Sequence, residues 1–133
     1  MATHCPKNDV RLKLTQSWLN WSKPGESHHE HSHPNSLISG CFYISGNKET
    51  DKIYFVKRKY QQLKFPPAAW NPYNSETWWF PAEPGKLILF PSYLTHRVEP
   101  VEGTETRISL AFNTFPIGDI GSEDELTALH LER

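Results

Sequence analysis

The prolines and glycines of this chain limit the length of any regular element that it can form. The sequence contains 11 prolines and 7 glycines in 133 residues, spread along most of the chain. Proline cannot donate a backbone hydrogen bond and glycine loses much entropy in a regular element, so both residues interrupt helices. The runs between them are short and rich in β-branched and aromatic residues, and long helical periodicity is nearly absent. The chain is therefore expected to be all-β.

The short apolar or alternating runs predict a series of strands. The last two runs are expected to pair as a hairpin around the turn at Glu102-Gly103. The tail from Ile117 onward is expected to contain either one helical turn or a final strand at Leu126–Leu131. Turn signals at intervals of about 8–12 residues favour a sandwich or a barrel. The predicted strands are 11–21, 38–45, 53–59, 78–80, 86–90, 97–100 and 106–113.

Composition limits both the size of the fold and the kinds of partner. A chain of this length is expected to form a single domain, residues 1–133. Its net charge of −1 gives no reason to expect nucleic acid or a membrane surface as a partner. It has no apolar stretch of transmembrane length and no apolar segment near Met1, so a cytoplasmic location is expected. Cys41 is expected to be a buried free thiol. The aromatic residues Trp70, Tyr73, Trp78 and Trp79 are expected to pack in the core, with the alternative that one of them forms a wall of a substrate pocket.

Histidines form the most distinctive chemical pattern. His31 and His33 are two residues apart, which on a strand places both imidazoles on the same face, and His96 supplies a third imidazole far along the chain. This layout of one segment with two ligands and a distant segment with the third is close to that of cupin-like double-stranded β-helices. Three protein ligands would leave open positions on a six-coordinate Fe(II). The predicted fold class is therefore an all-β jelly roll, and the predicted metal ligands are His31, His33 and His96.

Arg107 and Ser109 form a second pattern on a later strand. They are also two residues apart, so a guanidinium and a hydroxyl can together hold one carboxylate. The far carboxylate of a dicarboxylate bound to iron would need such a group. The alternative is a surface salt bridge between Arg107 and Glu102 or Glu105.

These segments resemble a known family of 2-oxoglutarate/Fe(II) oxygenases. The resemblance lies in HPNS at 33–36, SG at 39–40, GKLILFPSYLTH at 85–96 and RISLAFN at 107–113, and it extends over most of the chain. Members of the family occur in bacteria and in phages, with distant similarity to prolyl hydroxylases. The resemblance implies a double-stranded β-helix with Fe(II) and 2-oxoglutarate as cofactors.

The same resemblance implies a role for individual residues. His31 takes the place of the first iron ligand and His96 that of the last, while Arg107 and Ser109 take the place of the 2-oxoglutarate anchor. Tyr43 stands where related enzymes use a tyrosine hydroxyl on the same carboxylate. The chain departs from most such oxygenases at His33, which stands where they have a carboxylate ligand. His28 and Glu30 could instead supply a histidine and a carboxylate, which leaves the triad His28, Glu30 and His96 as an alternative.

The expected function is that of an Fe(II)- and 2-oxoglutarate-dependent dioxygenase. It would hydroxylate an unidentified small-molecule or peptidyl substrate, release succinate and CO₂, and exist as a monomer or a homodimer. One alternative is a metal-binding cupin-like module or isomerase without 2-oxoglutarate chemistry. Another is a scaffold protein that keeps the fold and has lost the chemistry.

Overall fold

The computed structural model describes residues 10–57, 62–63 and 65–132, and these residues form strands, turns and loops without a helix. None of the described segments could therefore cross a membrane as an apolar helix. The strands are β1 (Arg11–Ser22), β2 (His28–His31), β3 (Ile38–Ser45), β4 (Lys52–Val56), β5 (Thr77–Pro81), β6 (Leu87–Pro91), β7 (Thr95–Val98), β8 (Arg107–Ile120) and β9 (Leu129–Leu131).

The strands make two antiparallel sheets. The large sheet has the order β1-β8-β3-β6, with β9 paired to the end of β8, and the small sheet has the order β2-β7-β4-β5. From β1 to β8, every connection crosses from one sheet to the other except the one between β4 and β5. This is the winding of a jelly roll with eight principal strands. The predicted all-β, cupin-like double-stranded β-helix is confirmed.

The apolar core lies between the inner faces of the two sheets. Ile53 and Phe55 of the small sheet meet Phe90 of the large sheet, and the rings of Phe55 and Phe90 are 5.0 Å apart at their centroids. Ile88 and Val98 pack against this cluster. Because this cluster is small, the space between the sheets is only partly filled, and a pocket with polar walls adjoins it.

The prediction of a hairpin at Glu102-Gly103 is wrong. Gly103 does lie in a turn, with a φ of +82°, but β7 pairs with β2 and β4 in the small sheet. β8 pairs with β1, β3 and β9 in the large sheet. A turn has the same sequence signal whether the two strands that it joins pair with each other or belong to different sheets. The jelly-roll winding places β7 and β8 in different sheets.

Other boundaries differ less from the prediction. The tail forms the predicted strand rather than a helical turn, shortened to β9. The third predicted strand, 53–59, ends at Val56, and its residues 58 and 59 lie outside the described residues. The prediction that the aromatic cluster packs in the core is wrong for Trp70 and Tyr73, which are 53% and 90% exposed, because their segment runs over the surface between β4 and β5. It is also wrong for Trp79 of β5, which is 43% exposed.

Candidate metal centre and carboxylate pocket

Three imidazoles converge where the small sheet meets the loop after β6. His31, the last residue of β2, pairs directly with His96 of β7, and their ring centroids are 4.4 Å apart. His33 lies two residues beyond the end of β2, where its backbone N–H donates to the carbonyl of Ser92 at 2.9 Å. The potential ligand nitrogens of the three residues all lie within 4.8 Å of one another. His33 therefore reaches the cluster from a loop and not, as the sequence predicted, from the same strand face as His31.

In each of the three rings, Nδ1 makes a hydrogen bond to a group outside the cluster. His31 Nδ1 donates to the carbonyl of His29 at 2.7 Å, and His96 Nδ1 donates to that of Leu94 at 3.1 Å. A carbonyl only accepts, so in both rings Nδ1 carries a proton and Nε2 is the nitrogen that could bind a metal. Backbone and side-chain partners of this kind fix the tautomer of metal-binding histidines. His31 and His33 present Nε2 atoms 3.2 Å apart, close to the ~3 Å expected for two nitrogens about 2.1 Å from one metal at right angles.

A buried hydroxyl network orients His33. Ser39 Oγ donates to Asn113 Oδ1 at 2.7 Å and lies 2.8 Å from His33 Nδ1. Because its one proton is used on Asn113, Ser39 accepts from His33, which leaves the proton of that ring on Nδ1. Ser92 Oγ lies 2.8 Å from Ser39 Oγ and 2.7 Å from Ser36 Oγ, and both Ser39 and Ser92 are fully buried. The network therefore holds the His33 ring in the form that can bind a metal.

Burial favours the neutral form of His33 and His96. It lowers the pKa of His96 to about 4, with smaller contributions from the neighbouring His31 and His33. Burial also lowers the pKa of His33, and the adjacent His31 ring acts in the same direction. A neutral imidazole is the form that coordinates metal ions, so the local electrostatics suit a cation at the centre of the cluster.

The alternative triad of His28, Glu30 and His96 is not assembled. Among the residues that the structure describes, the group that could hold a metal ion consists of His31, His33 and His96. Glu30 is exposed, whereas His28 is half-buried in the same pocket with Nε2 3.1 Å from Ser22 Oγ.

Arg107 lies at the bottom of the pocket, at the start of β8. It is 3% exposed, and its Nη1 donates to Asp51 Oδ1 at 3.1 Å and to the carbonyl of Glu99 at 3.3 Å. Its Nη2 is buried and, within the described part of the chain, has no hydrogen-bond partner. The predicted alternative of a surface salt bridge with Glu102 or Glu105 is wrong: the partner is the buried carboxylate of Asp51.

Tyr43 and Ser109 share this end of the pocket. They are paired residues on β3 and β8 and both are buried. Tyr43 Oη has no hydrogen-bond partner among the described residues, while Ser109 Oγ accepts from Asn20 Nδ2 at 3.4 Å. Burial, and then the neighbouring Cys41, raises the pKa of Tyr43, so its hydroxyl keeps its proton and can donate. Arg107 and Tyr43 thus each leave one buried donor unpaired.

One pocket joins the imidazoles to these donors. Its cavity volume is about 60 Å³, and further space lies at its open mouth. Trp18, Ile53 and Ala111 supply apolar wall between the two polar ends. Cys41, predicted to be a buried free thiol, is free and lies only half-buried in this wall.

Sequence reasoning missed three residues that shape the site. Asp51 and Asn20 contact the predicted anchor residues, and Ser92 belongs to the His33 network. Asp51 and Asn20 stand outside the quoted motifs and act through contacts between distant segments, so the sequence contains no local signal for their roles. Ser92 lies within the motif at 85–96, but its contact with Ser39 joins distant segments.

The chain was compared with protein families, curated proteins and solved structures, and the family match agrees with this geometry. Residues 16–113 match the family described as "Putative 2OG-Fe(II) oxygenase". No curated protein matches the sequence. Among solved structures, the chain is similar to the capsular polysaccharide assembling protein CapF from Staphylococcus aureus, with 16% identity and a TM-score of 0.45 over 89% of this chain and 28% of that protein. Because the family match covers more than half of the sequence, including His31, His96 and Arg107, the chain belongs to this 2OG-Fe(II) oxygenase family.

Proposed function

We propose that the protein is an Fe(II)- and 2-oxoglutarate-dependent dioxygenase that hydroxylates a small molecule or a peptidyl side chain. The observation that supports this most strongly is the content of one pocket. Three imidazoles whose ligand nitrogens converge lie at one end, and a buried guanidinium with an N–H unpaired among the described residues lies at the other.

The imidazole cluster suits Fe(II) as its ion. His31, His33 and His96 would hold the metal through Nε2, since each Nδ1 is occupied by an outer partner. Imidazole is a good ligand for Fe(II), and three protein ligands leave positions for other groups. When bound, the iron and 2-oxoglutarate supply the oxidation of the substrate, with succinate and CO₂ as products.

The two unpaired donors suit the distal carboxylate of 2-oxoglutarate. A buried donor without a partner costs about 1–3 kcal/mol. A carboxylate oxygen placed against Arg107 Nη2 and Tyr43 Oη would satisfy both groups, and Ser109 would flank the same carboxylate. Arg107 Nη1 is committed to Asp51, so the guanidinium is held in one orientation before the ligand arrives.

His33 alters the charge balance of the site. A neutral imidazole in place of a carboxylate would leave the full positive charge on the metal. At the other end of the pocket, the carboxylate of Asp51 offsets the positive charge of Arg107. The metal end therefore attracts an anionic chelating ligand more strongly than a centre with a carboxylate ligand would. This suits the 2-oxo acid end of the cosubstrate.

The test is turnover of 2-oxoglutarate to succinate, with and without Fe(II), against a panel of candidate substrates. Succinate should form only with iron, and Arg107→Ala should abolish it. Arg97→Ala is the matched control, because Arg97 lies on the small sheet in a partly exposed pair with Glu99. Iron binding without succinate formation, and with equal behaviour of both variants, would favour the metal-binding cupin module or isomerase instead.

A further inference from the structure

The outer face of the large sheet carries an apolar surface that the pocket does not use. Ser109 and Ala111 of β8 point inward to the pocket, so Ile108, Leu110 and Phe112 point outward. Leu110 pairs with Leu19 of β1 on one side and with Phe42 of β3 on the other. Phe42 in turn pairs with Leu87 of β6. Four large apolar side chains therefore form one continuous row across the sheet.

Neighbouring rows extend this surface. Trp21 pairs with Ile108, and Ile44 lies beside them at the register shift between β3 and β8. On the other side, Phe112 lies over Gly40, and Leu89 is paired with that glycine. We call this surface the outer face; it consists of Leu19, Trp21, Phe42, Ile44, Leu87, Leu89, Ile108, Leu110 and Phe112.

The outer face is unusually open to solvent. Trp21 is 63% exposed, Leu19 and Leu89 are 59%, and Leu87 is 50%. With the smaller contributions of the other five, these side chains present roughly 700 Å² of apolar surface, above the ~300–600 Å² of the largest patch on a typical monomer. A stable interface buries about 800 Å² on each partner. The outer face alone thus comes close to the area that a stable dimer needs.

The chemistry of the outer face favours a partner with the same surface. None of the described residues in these rows is charged, so a charged partner would find no complement there. Residues 1–9 (MATHCPKND) contain too little apolar surface to cover it. A two-fold axis brings one patch against its own copy, and two sheets pack face to face at a separation of about 10 Å.

We infer that the protein is a homodimer in which the outer faces of two copies pack against each other. The pocket is lined by inward-facing residues of the same strands, so packing of the outer faces would not cover those residues. This inference depends on the outer face and not on the proposed chemistry, and either can fail without the other.

The test is the mass of the full 133-residue chain by sedimentation equilibrium, over a wide range of protein concentrations. The wild type should have twice the chain mass of 15.4 kDa. Leu19→Glu and Leu87→Glu place a charge at opposite ends of the central row, and each should raise the dimer dissociation constant by at least about tenfold. Leu126→Glu is the control, because Leu126 is 93% exposed in the turn before β9, away from the outer face.

Near-UV circular dichroism of each variant shows whether the protomer is folded. Since Leu19 and Leu87 are at least half exposed in the protomer, both variants should fold. A wild type that remains at 15.4 kDa at every concentration would overturn the inference, even if the protein bound an apolar dye on this face. So would a dimer that persists in both variants.

Discussion

The buried pair of Arg107 and Asp51 gives a prediction whose size follows from the structure. The two side chains are 3% and 2% exposed, and Nη1 lies 3.1 Å from Oδ1. Removing one partner of such a pair leaves an uncompensated buried charge, which costs about 3–5 kcal/mol. Asp51→Ala also removes the acceptor of the Asn47 backbone N–H, so a cost near the middle of this range, about 4 kcal/mol, is expected.

That cost is a large share of the stability of a small domain, which is about 5–15 kcal/mol. For a chain of this size it corresponds to a fall in Tm of roughly 12 °C. Asp51→Asn keeps an acceptor for Arg107 and loses only the charge, so it should cost less than Asp51→Ala. The double variant Asp51→Ala with Arg107→Ala leaves neither charge buried, so it should cost at least about 2 kcal/mol less than the two single changes together.

The assay is denaturant unfolding of the metal-free protein at one fixed protein concentration, because ligand binding and association both shift apparent stability. Glu99→Ala is the control, since it removes a carboxylate from the partly exposed pair with Arg97 and should cost less than about 1 kcal/mol. If Asp51→Ala costs no more than Glu99→Ala, or if the double variant shows no coupling, Asp51 does not compensate a buried charge.

Three further predictions concern the pocket. His33→Ala should greatly reduce Fe(II) affinity, measured anaerobically by competition with a chelator, whereas Glu30→Ala should change it little; the reverse result would restore the alternative triad. Ser39→Ala frees the tautomer of His33 and should lower metal affinity by about 10–100-fold, and unchanged affinity would show that the hydroxyl network has no such role. Tyr43→Phe removes a buried hydroxyl that has no hydrogen-bond partner among the described residues, so unfolding stability should not fall, while 2-oxoglutarate binding should weaken by about 2–10-fold. A loss of stability with unchanged binding would contradict the assigned role.

Local patterns in the sequence predicted the elements and the chemical groups of this protein. The predicted bounds of β1 and β3 agree with the structure to within one residue, whereas β8 continues to Ile120, seven residues beyond its predicted end. The two-residue period of a strand predicted that Arg107 and Ser109 share a face, and both are buried on the inner side of β8. The predicted fold class and family are confirmed.

Pairing between distant segments could not be predicted in the same way. The turn at Gly103 looked like a hairpin because nothing local shows that β7 and β8 join different sheets. His33 was expected on the strand of His31, although a hydrogen bond to Ser92 holds it in a loop. Asp51 gave no signal because its role depends on a contact with Arg107, which is 56 residues away.

The central claim is that the pocket binds 2-oxoglutarate through Arg107 beside a metal held by three imidazoles. Anaerobic calorimetric titration of 2-oxoglutarate into the Mn(II)-loaded protein tests it directly, with Mn(II) as a surrogate for Fe(II). The wild type should bind one 2-oxoglutarate for each metal. Arg107→Ala should weaken that binding by about 2 kcal/mol or more, or roughly 30-fold, and leave Mn(II) affinity almost intact. Equal 2-oxoglutarate affinity in the wild type and Arg107→Ala would contradict the account.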